Sequence, residues 1–242
     1  ISDVPNDDPG VIGSGPTVAD ETTFDAAIDV ITRHGLADAI PPRVMAHLRS
    51  GAAGRVPGPV APGDPRLAQA AYWLVGSRRD AMRAAAETAA RLGYHVHVES
   101  APVTGDAREA GPRLVSITAR LPRPACLIAS GETTVRVVGH GRGGRNQELA
   151  LSAIEPLAAL APAALASVGT DGVDGPTDAA GAFVDAGTWT RLGSSATERL
   201  ARALADNDAY PVLDSLGALV RSGPTGTNVG DLQIVLLGTN ER

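Results

Sequence analysis

Lysine is absent from all 242 residues, so each of the 21 basic side chains is an arginine. No side chain can therefore act as a lysine Schiff base, phosphate clamp or general base, which excludes several familiar kinase layouts within this chain. Cysteine occurs once, as Cys126 inside the apolar run Ala125 to Ala129. It cannot form an internal disulfide and reads as a buried, inert thiol suited to a reducing, cytoplasmic compartment. Blocks of basic charge are missing and the net charge is −6, so nucleic acid is not an expected partner. Uninterrupted apolar runs are missing too. The longest candidate, Leu149 to Val168, is broken by Glu155, Pro156 and Pro162, and no membrane span is expected. No signal or transit peptide is visible, and Ile1-Ser2-Asp3-Val4-Pro5 reads as the end of a strand entering a loop, as in a fragment.

The apolar content that remains is ample for a globular core. The most informative stretch is Gly139 to Leu151, G-H-G-R-G-G-R-N-Q-E-L-A-L. It lies between an alternating run, Thr133 to Val138, and a helical run, Asn146 to Ala161, so glycines deliver Arg142 and Arg145 to a helix N-terminus. The unpaired N–H groups there attract an anion, worth about 0.3 to 1 kcal/mol at an exposed site, and arginine adds a planar fork. The competing reading is a tight hairpin end with solvated arginines.

Taken in order, the chain opens with a loop, Ser2 to Thr17, dense in aspartate, proline and glycine. Helical runs follow at Phe24 to His34 and Pro42 to Arg49, and Gly51 to Asp64 is the best linker candidate. A domain boundary is placed there, giving 1–64 and 65–242. Beyond it the pattern alternates: Arg78 to Leu92 helical, His95 to Val98 strand, Arg108 to Leu121 helical, then strands at Ala125 to Ala129 and Thr133 to Val138. Such alternation predicts a layered α/β fold with a mostly parallel sheet and helices on both faces. His95 and His97 share one strand face, but with no third ligand in view they read as surface side chains.

A further strand, Ala164 to Val168, ends in G-T-D-G-V-D-G-P-T-D, where Asp171, Asp174 and Asp178 sit on glycine turns. Those carboxylates suit Mg²⁺ or substrate hydroxyls, or form solvated Asx turns. Helical runs at Thr190 to Ala205 and Val212 to Val220 precede a third polar loop, Ser222 to Asp231, and a last strand, Leu232 to Leu237. Cations plus a metal anchor are the parts phosphoryl transfer needs. Gly139, Gly141 and Gly144 also satisfy G-x-G-x-x-G, so an NAD(P)H-dependent hydroxypyruvate reductase is the alternative enzyme, and a non-catalytic binding module is a third reading.

The phrases S-D-V-P-N-D-D-P-G-V-I-G-S-G-P-T, G-R-G-G-R-N-Q-E-L-A-L, G-T-D-G-V-D-G-P-T-D-A-A-G and G-P-T-G-T-N-V-G-D-L-Q-I resemble those of the glycerate 2-kinase family. Its C-terminal part is called the MOFRL domain, corresponding here to about 125–242. The resemblance implies ATP-dependent phosphorylation of D-glycerate, with Mg²⁺, in a cleft between two α/β domains, and leaves a homodimer open. Residues 1–64 would then be the remnant of a Rossmann-like N-terminal domain plus linker. The family's G-x-G-K type lysine and its serine- and glycine-rich phosphate loop do not occur here. The resemblance puts the family's arginine at Arg145, which with Asp171 and Asp174 of the aspartate turn makes up the catalytic candidates, the two aspartates doubling as metal ligands. Arg142, Gly143, Gly144, Asn146, Thr177, Asp178, Thr225, Thr227 and Asn228 are the candidates for binding substrate or phosphate, joined by Asp3, Asp8 and Ser14 from the opening loop.

Overall fold

The structure, a computed structural model, describes residues 1–239, so the last three positions of the expected 65–242 region lie outside the described residues. The chain divides into two compact units, residues 7–73 and residues 1–6 with 74–242. In the smaller unit Thr23 caps α1 (Phe24–Arg33) by accepting the Ala26 N–H at 3.1 Å, and Pro42 opens α2 (Pro42–Ala52). The Phe24 ring meets His47 edge-on at 5.7 Å. Gly51 is required beneath it, because a Cβ there would lie 2.2 Å from the ring. Neither helix buries a residue fully.

The larger unit carries, in chain order, α3 (Arg78–Arg91), β1 (His95–Val98), α4 (Ala107–Thr118), β2 (Ala125–Gly131), α5 (Arg145–Ala158) and β3 (Ala163–Gly169). These are followed by β4 (Gly181–Asp185), α6 (Thr188–Leu192), α7 (Ala196–Ala205), α8 (Ala209–Ser215), β5 (Leu219–Val220) and β6 (Asp231–Leu237). The strands form one sheet in the order β1-β2-β6-β3-β4-β5. Alternating side chains of β2 serve opposite faces. Leu127 joins the main core with Leu149, Ile154, Leu165 and Val235, whereas Cys126 and Ile128 pack with Met82 and Ala89 of α3. The layered α/β architecture with helices on both faces is therefore as expected.

The predicted parallel sheet is corrected. Only β1 and β2 pair in parallel, and every other neighbour is antiparallel. The β2–α5–β3 segment does leave β2 and β3 running the same way, but β6 enters between them and opposes both. No local pattern announces such an insertion, because it joins β6 to strands about 60 to 110 positions earlier.

Other expectations also change. Thr133 to Val138 makes a single bridge, Thr134 to Asp106, in place of a strand, and Val137 and Val138 are exposed. The N–H groups at its start go to the loop after β1: Glu132, just before the run, donates to the Val103 carbonyl at 2.9 Å, and Thr134 to the Gly105 carbonyl at 2.8 Å. The run 190–205 breaks at Gly193 between α6 and α7, and 212–220 splits into the end of α8 and β5. Residues 1–3 form no strand, although Ser2 is buried with its N–H on the Gly76 carbonyl. Strand β4 was not anticipated. Among the described residues no helix is long and apolar enough to cross a membrane.

Candidate functional site

Helix α5 begins where the glycine-rich stretch ends, with Gly144 as its N-cap and no side-chain bond from that residue. The anion at this N-terminus comes from the chain itself. Asp174 accepts the Asn146 N–H on Oδ1 at 3.1 Å and the Gln147 N–H on Oδ2 at 2.9 Å, and the Asn146 amide adds a bond at 3.3 Å. Burial raises the Asp174 carboxyl above the usual carboxylate range, against the pull of those N–H groups. The neighbouring side chains are bonded into this cap. Gln147 donates to Thr177 Oγ1 at 2.9 Å, and Ser167 donates to Asn146 Oδ1 at 2.6 Å. Gly144 has no Cβ because one would lie 2.3 Å from the Asp174 carboxyl carbon. The expected ligand-binding helix N-terminus is thus filled by Asp174.

Arg145, the first helical residue, turns its guanidinium toward the sheet. Nε and Nη2 grip Asp231 at 2.6 and 2.9 Å, and Nη1 reaches Glu132 at 3.0 Å. Asp231 is buried at the start of β6, flanked in register by Gly131 of β2 and Gly169 of β3. The ends of β2 and β3 and the start of β6 therefore meet at Arg145. The hydrogen bonds to Asp231 hold the Arg145 guanidinium above its already high range.

Beside Arg145 opens a cavity of about 450 Å³, walled by Thr133, Val135, Val137, Glu148, Pro176 and Asn207 and rimmed by Gly141, Gly143 and Gly144. Its floor is polar. Buried Glu148 takes Arg108 on one oxygen and the Asn207 amide on the other. Thr133 Oγ1 is buried without a hydrogen-bond partner. The glycine-rich rim is fastened from behind by Asp206-Asn207-Asp208: Asn207 Oδ1 accepts the Val138 and Gly139 N–H groups, Asp206 that of His140, and Asp208 that of Arg142. A Cβ at Gly139 or Gly141 would strike this segment at 2.3 or 2.4 Å. These glycines admit the chain's own backbone, which accounts for the G-x-G-x-x-G spacing without a dinucleotide.

The other candidates distribute as follows. Arg142 is exposed, its guanidinium 4.1 Å above the Tyr210 ring, whose hydroxyl donates to Asp178 at 2.6 Å. Arg221 binds Asp178, Asp214 and the Tyr210 hydroxyl, closing a surface network. The loops after β3 and β5 are tied together, Thr225 donating to the Thr170 carbonyl at 2.6 Å and its N–H to the Asp171 carbonyl at 3.0 Å. Thr227 donates its N–H to Thr225 Oγ1, and Asn228 donates to Asp3 at 3.1 Å. Asp8 and Ser14 belong to the smaller unit, where they line a separate open cavity.

The expected metal pair is not assembled. Both Asp174 oxygens serve α5, Asp171 Oδ1 closes an Asx turn on the Val173 N–H, and no cluster able to hold a metal occurs among the described residues. Glu132, Glu148 and Asn207 were not singled out from the sequence, and Asp231 entered only as the end of the third polar loop. Glu132 meets Arg145 13 positions on, and the other three have partners 40 to 86 positions away, beyond the reach of any local pattern.

Residues 125–231 match the model of the MOFRL family, and residues 1–49 match a domain of unknown function, DUF4147. The chain is 35% identical to a glycerate 2-kinase of Pyrococcus horikoshii over 98% of its own length and 54% of that protein's. The crystal structure of a glycerate kinase from Thermotoga maritima superposes with a TM-score of 0.84 at 37% identity, covering 98% of this chain and 56% of that one. The chain thus spans about half the length of these two relatives. A glycerate kinase of Macaca fascicularis is 33% identical, and 71% of it is covered. With four sequence phrases, the superposed fold and this breadth of similarity in agreement, the chain belongs to the glycerate kinase family.

Proposed function

We propose that this chain takes part in phosphorylating D-glycerate to 2-phosphoglycerate with ATP as phosphoryl donor. The observation that carries the reading is Arg145, held by Asp231 through Nε and Nη2 and lining a cavity large enough for a small acid. Phosphoryl transfer spreads negative charge over the oxygens in flight, and a fixed guanidinium stabilises it without moving. Thr133 Oγ1, buried without a partner in the lining, offers an acceptor to a hydroxyl group of glycerate. Mg²⁺ does not fit Asp171 and Asp174 as they are bonded, and no step is assigned to it. The division into a kinase-domain remnant at 1–64 and an α/β domain at 65–242 belongs to the same proposal, as does a reducing, cytoplasmic setting for the buried Cys126.

The test is ADP release from Mg·ATP and D-glycerate by the chain and by Arg145→Ala, with hydroxypyruvate and NADH in a parallel cell. ADP formation that disappears in a folded Arg145→Ala variant is the expected result. NADH oxidation would overturn it in favour of the reductase, and glycerate binding without turnover would favour the binding module.

A further inference from the structure

Arg145 carries two carboxylates of unlike standing. Asp231 has a side chain 1% exposed and holds the Nε/Nη2 edge, whereas Glu132 has a side chain 55% exposed and touches only Nη1 at 3.0 Å. Detaching Asp231 would strand a buried charge, but a solvated pair such as Glu132 with Arg145 breaks at little cost. The Glu132 backbone stays in place, its N–H on the Val103 carbonyl at the end of β2, so only the side chain need move. Next to it Thr133 Oγ1 is buried without a partner and lines the same cavity, as Glu132 does. One edge of a fixed guanidinium, one exchangeable carboxylate and one unsatisfied hydroxyl therefore meet at one opening.

We propose that Glu132 is a placeholder for the anionic group of the ligand. In the free protein it occupies the outer edge of Arg145, and a carboxylate or phosphoryl group of the ligand expels it. This rests on the reading of Arg145 as an anion contact but not on turnover. It also makes Glu132 a specificity device, because a neutral analogue such as the amide of the acid cannot outcompete a carboxylate for the guanidinium.

The experiment is calorimetric titration of the chain, Glu132→Gln and Arg145→Ala with inorganic phosphate and with D-glycerate, folding being checked by thermal melting. Glu132→Gln should bind at least one of these anions about two- to five-fold more tightly, the scale of a lost surface competitor. Arg145→Ala should bind neither. Unchanged or weaker binding of both anions in Glu132→Gln overturns the proposal, as does an absence of anion binding in every form. Tighter phosphate binding with no ADP release would leave the placeholder standing and remove the kinase reading.

Discussion

Arg145 and Asp231, 86 positions apart, are joined by two parallel N–H···O bonds of 2.6 and 2.9 Å. The pair welds the first turn of α5 to the first residue of β6. Asp231→Asn keeps the volume but removes the charge and one acceptor. With Arg145 about one third exposed, the loss should stay near 1–3 kcal/mol, below that of a fully buried pair. Urea denaturation reads this directly, and glycerate-dependent ADP release should fall with it. A variant as stable and active as the parent would show the pair to be ornamental.

Asp174 and Gly144 should fail together. Asp174→Ala removes the acceptors of two α5 N–H groups, for an expected loss of about 1–3 kcal/mol. Gly144→Ala forces a methyl to 2.3 Å from the same carboxyl carbon and should cost about 1–3 kcal/mol. Because both act on one cap, the double variant should lose less than the sum, which a double-mutant cycle would measure.

Arg108→Ala should be the more damaging member of its ion pair to lose. Glu148, 3% exposed, would keep only the Asn207 amide, and an uncompensated buried carboxylate costs about 3–5 kcal/mol. Glu148→Gln leaves Arg108, 29% exposed, to find water and should cost less. Equal midpoints for the two variants in urea would contradict this ordering.

Burial pushes the Cys126 thiol up to about 11. At pH 8 only about one thiol in a thousand would be ionised, and modification requires the thiolate. Ellman's reagent should therefore leave the folded chain unlabelled and react once per chain after unfolding. Rapid labelling of the native protein would show that α3 opens from the sheet.

What the sequence revealed was local. Helices α1 through α5 and strands β1, β2, β3 and β6 follow from periodicity and caps within a few residues of their observed ends. The alternating T-T-V-R-V-V after β2 has the same pattern as a strand, but its Thr134 and Val138 amides pair with Gly105 and Asn207 in place of a neighbouring strand. Arg145 was visible because glycines and a helix start surround it. Asp231 and Glu132 were not, because their meaning comes from Arg145, which only the closed sheet brings to them. Asp174 was visible as a carboxylate on a turn but not as the cap of α5, since nothing nearby shows that Asn146 lies beneath it.

Strand β6 follows the other five described strands in the chain and yet stands between β2 and β3. Until Asp231–Leu237 leaves the ribosome, β1 and β2 on one side and β3, β4 and β5 on the other each present an unpaired inner edge, and Arg145 has no Asp231 to hold. The nascent chain must keep two half-sheets apart from other molecules until one short apolar segment arrives to join them, and the same segment carries the carboxylate that locks Arg145.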